Sequence, residues 1–159
     1  KKHAEAVSFA VLDREEVFFL DVVDTVHHIQ AGEMVGQRFP FFTNAAGKAI
    51  KSVSSLDLLE RLYSKKRGNK GLPDPQELRD ELAEIRRKGV AVDVGGFGDG
   101  VVTVAVAIRD YAGKVVGALT MLVPSIRLVS ERLEQEIIPS MLEGAELLSG
   151  QFGYSRAYA

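Results

Sequence analysis

Two runs rich in β-branched and aromatic residues, Ala6–Leu12 and Val17–Val23, flank the polar tetrapeptide Asp13-Arg14-Glu15-Glu16. That pattern predicts an opening hairpin. His27–Gly32 is expected to add a short third strand, and Gly36–Phe42 reads as a connector around Pro40. Ala45–Ser52 reads as a short helix capped by Thr43 or Asn44, whose side-chain oxygens accept from free amides of a first turn. A second helix is expected over Ser55–Tyr63, capped by Ser54 or Ser55. The basic, glycine-rich stretch Ser64–Asp74 reads as the most mobile loop. Pro75 then sits at a helix entry, Leu78, Leu82 and Ile85 recur at helical spacing over Gln76–Lys88, and Gly89 closes the helix.

Beyond Gly89 the period returns to two. Val90–Val94 predicts a strand, Gly95–Gly100 a flexible link, and Val101–Arg109 with Lys114–Val123 a hairpin turning on Asp110–Gly113. Ser130–Gly150 predicts a long closing helix, capped by Ser130, with Leu133, Ile137, Met141, Ala145 and Leu148 in one stripe and a kink at Pro139. The sum is one α+β domain over residues 1–159, an antiparallel sheet flanked by helices.

The second hairpin has two unlike faces. Val102, Val104, Val106 and Ile108 share one face of its first strand, and Val101, Thr103, Ala105 and Ala107 the other. In its second strand Val116, Ala118, Thr120 and Leu122 share a face, opposite Val115, Gly117, Leu119 and Met121. A face of small residues with Thr103 and Thr120 either lets a helix pack closely or leaves room for a ligand. Asp93 stands alone on an apolar strand, on the face of Ala91. It can cap the following glycine turn, hold Arg38, or accept from a ligand hydroxyl or amine. The helix start at Thr43–Gly47 offers unpaired amides and a partial positive charge, with only Ala45, Ala46 and Gly47 for cover, so a carboxylate could approach the backbone there. An ordinary capped helix is the alternative.

Composition narrows the chemistry. With 159 residues, 46% apolar and 26% charged, the chain is long enough for its own core and ordinary for a globular domain. A net charge of −2 argues against a nucleic-acid-binding module on its own. The absence of cysteine removes disulfides, thiolate metal sites and thiol nucleophiles. No apolar run approaches the ~20 residues of a membrane span, and no signal peptide is visible, so a cytoplasmic location with no membrane partner is expected. The three histidines do not make a metal set, because His27 and His28 point to opposite faces of a strand. Gly95–Gly98 does not lie between a strand and a helix, Lys48 lacks phosphate-loop spacing and reads as a solvent-exposed helical residue, and no nucleophile elbow occurs. No cofactor or metal is expected. The chain lacks an initiator Met, which is expected of a fragment, with an N-terminal domain missing.

The run G-Q-R-F-P-F-F-T-N-A-A-G-K-A at Gly36–Ala49 resembles a segment of the IclR-type transcriptional regulators. The resemblance continues through Pro73–Glu77, through L-x-x-I-R-x-x-G-V-A-V-D at Leu82–Asp93, through G-V-V-T-V-A-V-A-I at Gly100–Ile108, and through G-A-L-T-M-L-V-P-S-I-R-L at Gly117–Leu128. These segments match in order and spacing over nearly the whole chain. The resemblance is to the C-terminal, GAF-like effector-binding half of such regulators. It implies a separate N-terminal winged helix-turn-helix domain for DNA, a homodimer or tetramer, and a small organic acid as effector. It places the pocket on Ala45 and Ala46, on Asp93, Thr103, Thr120 and Leu122, with Ala31 and Phe39 as apolar wall.

Departures from the family pattern change the expected ligand. Gly95-Gly96 stands where the family carries an acidic pair, Phe42 where a histidine is frequent, Leu122 where a hydroxyl is common, and Val123 where a glycine precedes Pro124. The pocket mouth is therefore expected to be more apolar, with room for a larger or aromatic acid. Phe18-Phe19, Phe152 and Tyr154 are candidate groups for self-association. Two other readings stand beside effector sensing: a small enzyme with Asp93 as general base, and a dimerisation domain with a vestigial pocket.

Overall fold

The computed structural model describes residues 3–23, 34–54, 57–64 and 71–155. The expected strand at His27–Gly32, Ala31, and the basic run Lys65–Arg67 lie outside those residues.

β1 (Ala6–Asp13) and β2 (Glu16–Val23) form the opening hairpin, with Asp13 opposite Glu16 across Arg14 and Glu15. Arg14 takes a left-handed φ of 60° to close so short a turn. The expected connector at Gly36–Phe42 is instead partly a strand. β3 (Arg38–Pro40) pairs with β2 at the sheet edge, where a proline, lacking an amide, removes no interior ladder bond. A 3-10 turn, Phe41–Thr43, leads from it into α1 (Ala45–Ser52), capped by Asn44.

α2 (Asp57–Ser64) buries Leu59 and Leu62. Its expected cap at Ser55 lies outside the described residues, and Ser54 donates its hydroxyl to Ile50 O at 2.8 Å just after α1. α3 (Pro75–Lys88) is capped by Asp74, which accepts from the amides of Gln76 and Glu77 at 2.9 and 3.0 Å. Gly89 ends it with a φ of 76°, donating to Ile85 O at 2.8 Å.

β4 (Ala91–Val94), β5 (Val101–Arg109) and β6 (Val115–Pro124) complete one antiparallel six-stranded sheet, ordered β3-β2-β1-β6-β5-β4. The closing helix is segmented: α4 (Ser130–Arg132), a π-turn over Leu133–Ile137, then α5 (Ile138–Gln151). Ser130 is not its cap. Val129 holds that position without a side-chain bond, and Ser130 is the first helical residue. The wide π-turn immediately precedes Pro139, whose ring would clash with the carbonyl four residues back in a regular helix.

The sheet is covered on both faces. α5 packs on β5 and β6, burying Val104, Val106, Ile108, Met121 and Val123 against Ile137, Met141 and Ala145. α1 packs on the opposite face, over Ala105 and Ala118. A buried carboxylate ties the two ends of the chain together. Glu5 accepts from Arg127 at 2.7 Å and from Arg132 at 3.0 Å, with its side chain 2% exposed. Replacing it by glutamine keeps the volume and removes the charge, so Glu5→Gln is expected to cost about 2 kcal/mol in urea unfolding.

Lys51 is buried beneath the β1–β2 turn, where it donates to Arg14 O at 3.4 Å and sits 5.0 Å from the Phe41 ring centre. Burial lowers its pKa below the ordinary 10.5, and the Glu15 carboxylate partly opposes the shift. A lowered folded-state pKa means that unfolding takes up protons. Stability attributable to this group is therefore fullest above 10.5 and falls as pH drops through the folded-state value. Wild type should gain in melting temperature relative to Lys51→Met as pH rises from 8 toward 10.5.

Candidate functional site

The residues singled out from sequence converge on the α1 face of the sheet. Asp93 on β4 stands opposite Thr103 on β5, and Thr103 stands opposite Leu122 on β6. Thr120, two residues before Leu122 and so on the same face, pairs with Ala105. Thr103 and Thr120 are fully buried, and neither hydroxyl has a hydrogen-bond partner. Asp93 Oδ2 is likewise buried and unpartnered. Hydroxyls and carboxylates in a protein interior are ordinarily bonded, because leaving one bare costs about 1–3 kcal/mol. Three on one face mark a place where the protein forgoes stability.

α1 supplies the roof. Asn44 is completely buried, accepts the Gly47 amide at 2.9 Å and donates to Pro40 O at 3.1 Å. The cap thus occupies one first-turn amide and leaves those of Ala45 and Ala46 outside its bond. Both alanines are buried, and α1 rests on β4, β5 and β6. Gly96, just past Asp93, lies against the start of α1. A Cβ there would collide with the Asp93 carboxylate and come within 2.8 Å of Thr43 O. Helix start and carboxylate are therefore neighbours.

Two alternatives for single residues are settled by geometry. Arg38 does not meet Asp93; it pairs with Asp13 at 3.0 Å and Glu16 at 3.6 Å. Lys48 is not a solvent-exposed residue. Its side chain is 13% exposed, pairs with Glu81 at 2.7 Å and brings its ammonium to 4.0 Å from Asp93 Oδ1. The lysine gives the buried end of the site a positive charge that the sequence reading did not assign.

An aromatic contact closes the face. β4 and β3 are opposite edges of the sheet, yet Phe97, in the loop after β4, packs edge-on to Phe19 and Phe39 with ring centres 5.3 and 5.1 Å apart. The sheet is curled enough for the β4–β5 loop to reach β2 and β3. Left-handed φ values at Gly95, Gly98 and Gly100 give that loop its tight path. Phe39 thus lies beside Phe19, which is fully buried rather than a surface group. Of the other candidate association groups, Phe152 is exposed, while Tyr154 is half-buried beneath Arg109.

Ser8, Phe19, Lys48 and Phe97 also lie on or beside this face and were not singled out from the sequence. The signal for Ser8 was present: Ala6, Ser8 and Ala10 repeat on β1 the small-residue face of β5 and β6. Phe97 carries no local signal, since its partners are more than 50 residues away in sequence. Two surface grooves of about 610 and 620 Å³ lie elsewhere, one between α3 and the π-turn, the other around the β1–β2 turn. The first is lined by five charged and five aliphatic residues, the second mostly by charged ones, and neither touches Asp93, Thr103 or Thr120.

A curled six-stranded antiparallel sheet, with a helix over a face that carries buried polar side chains, defines the architecture. Residues 1–150 match the family described as bacterial transcriptional regulator IclR C-terminal, and the chain belongs to it. It is 25% identical over 154 residues to the HTH-type transcriptional regulator KdgR of Escherichia coli K12, covering 94% of this chain and 58% of that protein. The solved IclR of Thermotoga maritima superposes with a TM-score of 0.83 at 26% identity, over 96% of this chain and 63% of that one. An Acinetobacter PobR inducer-binding domain, a double mutant in complex with 3-hydroxybenzoic acid, shares the fold with a TM-score of 0.79 at 20% identity, over 93% of this chain and 89% of that one. The chain spans about half the length of the curated relatives it matches.

Bare hydroxyls make a stability prediction. In the ligand-free protein, Thr103→Val and Thr120→Val remove a desolvated group without changing shape. Each is expected to raise stability by about 1 kcal/mol or more, read as a higher urea midpoint at constant m.

Proposed function

We propose that this chain is the small-molecule-sensing and self-associating domain of an IclR-type regulator. It binds a small organic acid and thereby modulates DNA binding by a winged helix-turn-helix domain elsewhere in the full-length protein. The observation that carries the reading is the set of bare, buried oxygens of Asp93, Thr103 and Thr120 facing the start of α1. A carboxylate at the Ala45 and Ala46 amides would meet donors, the positive end of the helix and the nearby Lys48 ammonium. Asp93, an acceptor, suits a hydroxyl on the same ligand, and Phe39 and Leu122 serve as its apolar wall. The acid found with the Acinetobacter relative is of this kind.

Calorimetry with a panel of small acids tests the reading. A bound acid at 100 times its Kd should stabilise the fold by about 2.7 kcal/mol. Thr103→Val, Thr120→Val and Asp93→Ala should each weaken binding by about 1–3 kcal/mol. Unchanged affinity in all three places the ligand elsewhere.

Self-association and DNA binding are separable. Two-fold operators require two-fold proteins, so the domain is expected to sediment as a dimer or tetramer at micromolar concentration. With a net charge of −2, the isolated chain should show only weak, salt-sensitive affinity for DNA. Monomeric sedimentation would assign assembly to the rest of the protein, and sequence-specific nanomolar binding would overturn the division of labour.

A further inference from the structure

Ser8 sits on β1 directly opposite Thr120, on the α1 face. It is 3% exposed, and its hydroxyl has no hydrogen-bond partner. A strand serine can ordinarily reach a backbone carbonyl or water, so two bare hydroxyls side by side on neighbouring strands call for a shared cause. Ser8, Thr120, Thr103 and Asp93 place one unpartnered side chain on each of β1, β6, β5 and β4, as two cross-strand pairs, Ser8–Thr120 and Thr103–Asp93, offset by two residues where Thr120 meets Ala105 and Thr103 meets Leu122. At a strand spacing of about 4.8 Å the four strands span about 14 Å across the sheet. The start of α1 lies at the Asp93 end, because Gly96 abuts Thr43 there. Ser8 is the far end.

We propose that Ser8 is a further ligand-contacting residue, and that with Thr120 it recognises a hydroxyl on the effector remote from its carboxylate. This rests on the effector reading above and narrows it from organic acids to hydroxylated organic acids. The choice of a hydroxyl follows from what surrounds the pair. Among the described residues no ammonium or guanidinium lies within hydrogen-bond distance of either oxygen, so a second carboxylate would be a buried, uncompensated charge. A ligand hydroxyl is neutral and balances the pair: it accepts from one side chain and donates to the other. A purely apolar end would leave both protein hydroxyls bare, and sites of that kind discriminate strongly against the analogue lacking the polar group.

The test uses two matched pairs of acids, benzoate with 4-hydroxybenzoate and hexanoate with 6-hydroxyhexanoate, titrated calorimetrically into wild type, Ser8→Ala and Asp93→Ala. In wild type the hydroxylated member of at least one pair should bind about tenfold or more tighter than its partner. Ser8→Ala should bring that ratio close to one without weakening the unhydroxylated acid. Asp93→Ala should leave the ratio within each pair unchanged, because Asp93 stands at the opposite end from Ser8. A thermal melt no lower than wild type confirms that Ser8→Ala is folded, since it loses only a bare hydroxyl. A preference that survives Ser8→Ala, or the absence of any preference in wild type, overturns the assignment of Ser8 and leaves the effector reading standing. Failure of all four acids to bind wild type overturns the acid-effector reading itself, and Ser8's role with it.

Discussion

The placement of α1 depends on one close contact between backbones. Gly47 lies so tightly on Phe41 that a Cβ would fall on the carbonyl and Cα of that residue, with the carbonyl carbon 2.7 Å away. No other residue type permits the approach. The Asn44 side chain, bonded to Pro40 O on one side and the Gly47 amide on the other, fixes the same junction from beneath. Edge strand, 3-10 turn and helix thereby behave as one piece. The height and direction of α1 over the sheet, and so the space between them, follow from that piece.

The two faces of the sheet are finished to different standards. Toward α5 the strands present Val104, Val106, Ile108 and Met121, and the one buried polar side chain of α5, Ser149, is bonded to the Arg109 amide at 3.1 Å. Toward α1 they present alanines, threonines and a serine, several with nothing to bond. Natural domains depart from full polar satisfaction mainly where function requires it. Among the described residues the departure gathers on one face, Arg127 Nε apart, while the buried Glu5 carboxylate elsewhere in the same molecule is supplied with partners on both oxygens.

Much of the fold was legible because its signals are local. The start of α1 follows from Asn44, the end of α3 from Gly89, and β5 from Gly100 and the alternation in Val101–Arg109. Misreadings arose where tertiary context decides. β3 is three residues long and includes a proline, so only pairing with β2 identifies it as a strand. Ser130 resembles a cap, yet packing carries the helix one residue further back. The small-residue logic that singled out Thr103 and Thr120 applied equally to β1, where a two-strand reading stopped short of Ser8. Lys48 looked exposed because its partners, Glu81 and Asp93, come from two other elements. The Phe19–Phe39–Phe97 cluster joins three segments far apart in sequence, and no local pattern encodes it.

That cluster also has a mechanical meaning. Phe97 spans from one margin of the sheet to the other, as a bowstring spans a bow, and its tension is the packing of one ring against two. Curvature of the sheet and the content of the space beneath it are then a single variable. A guest that lifts the ring slackens the string and lets the margins spread; a guest that packs under it draws them in. Either way, a molecule of a few carbons would alter the outline of the β2–β3 margin, converting chemical occupancy into shape at a distance from the bound atoms.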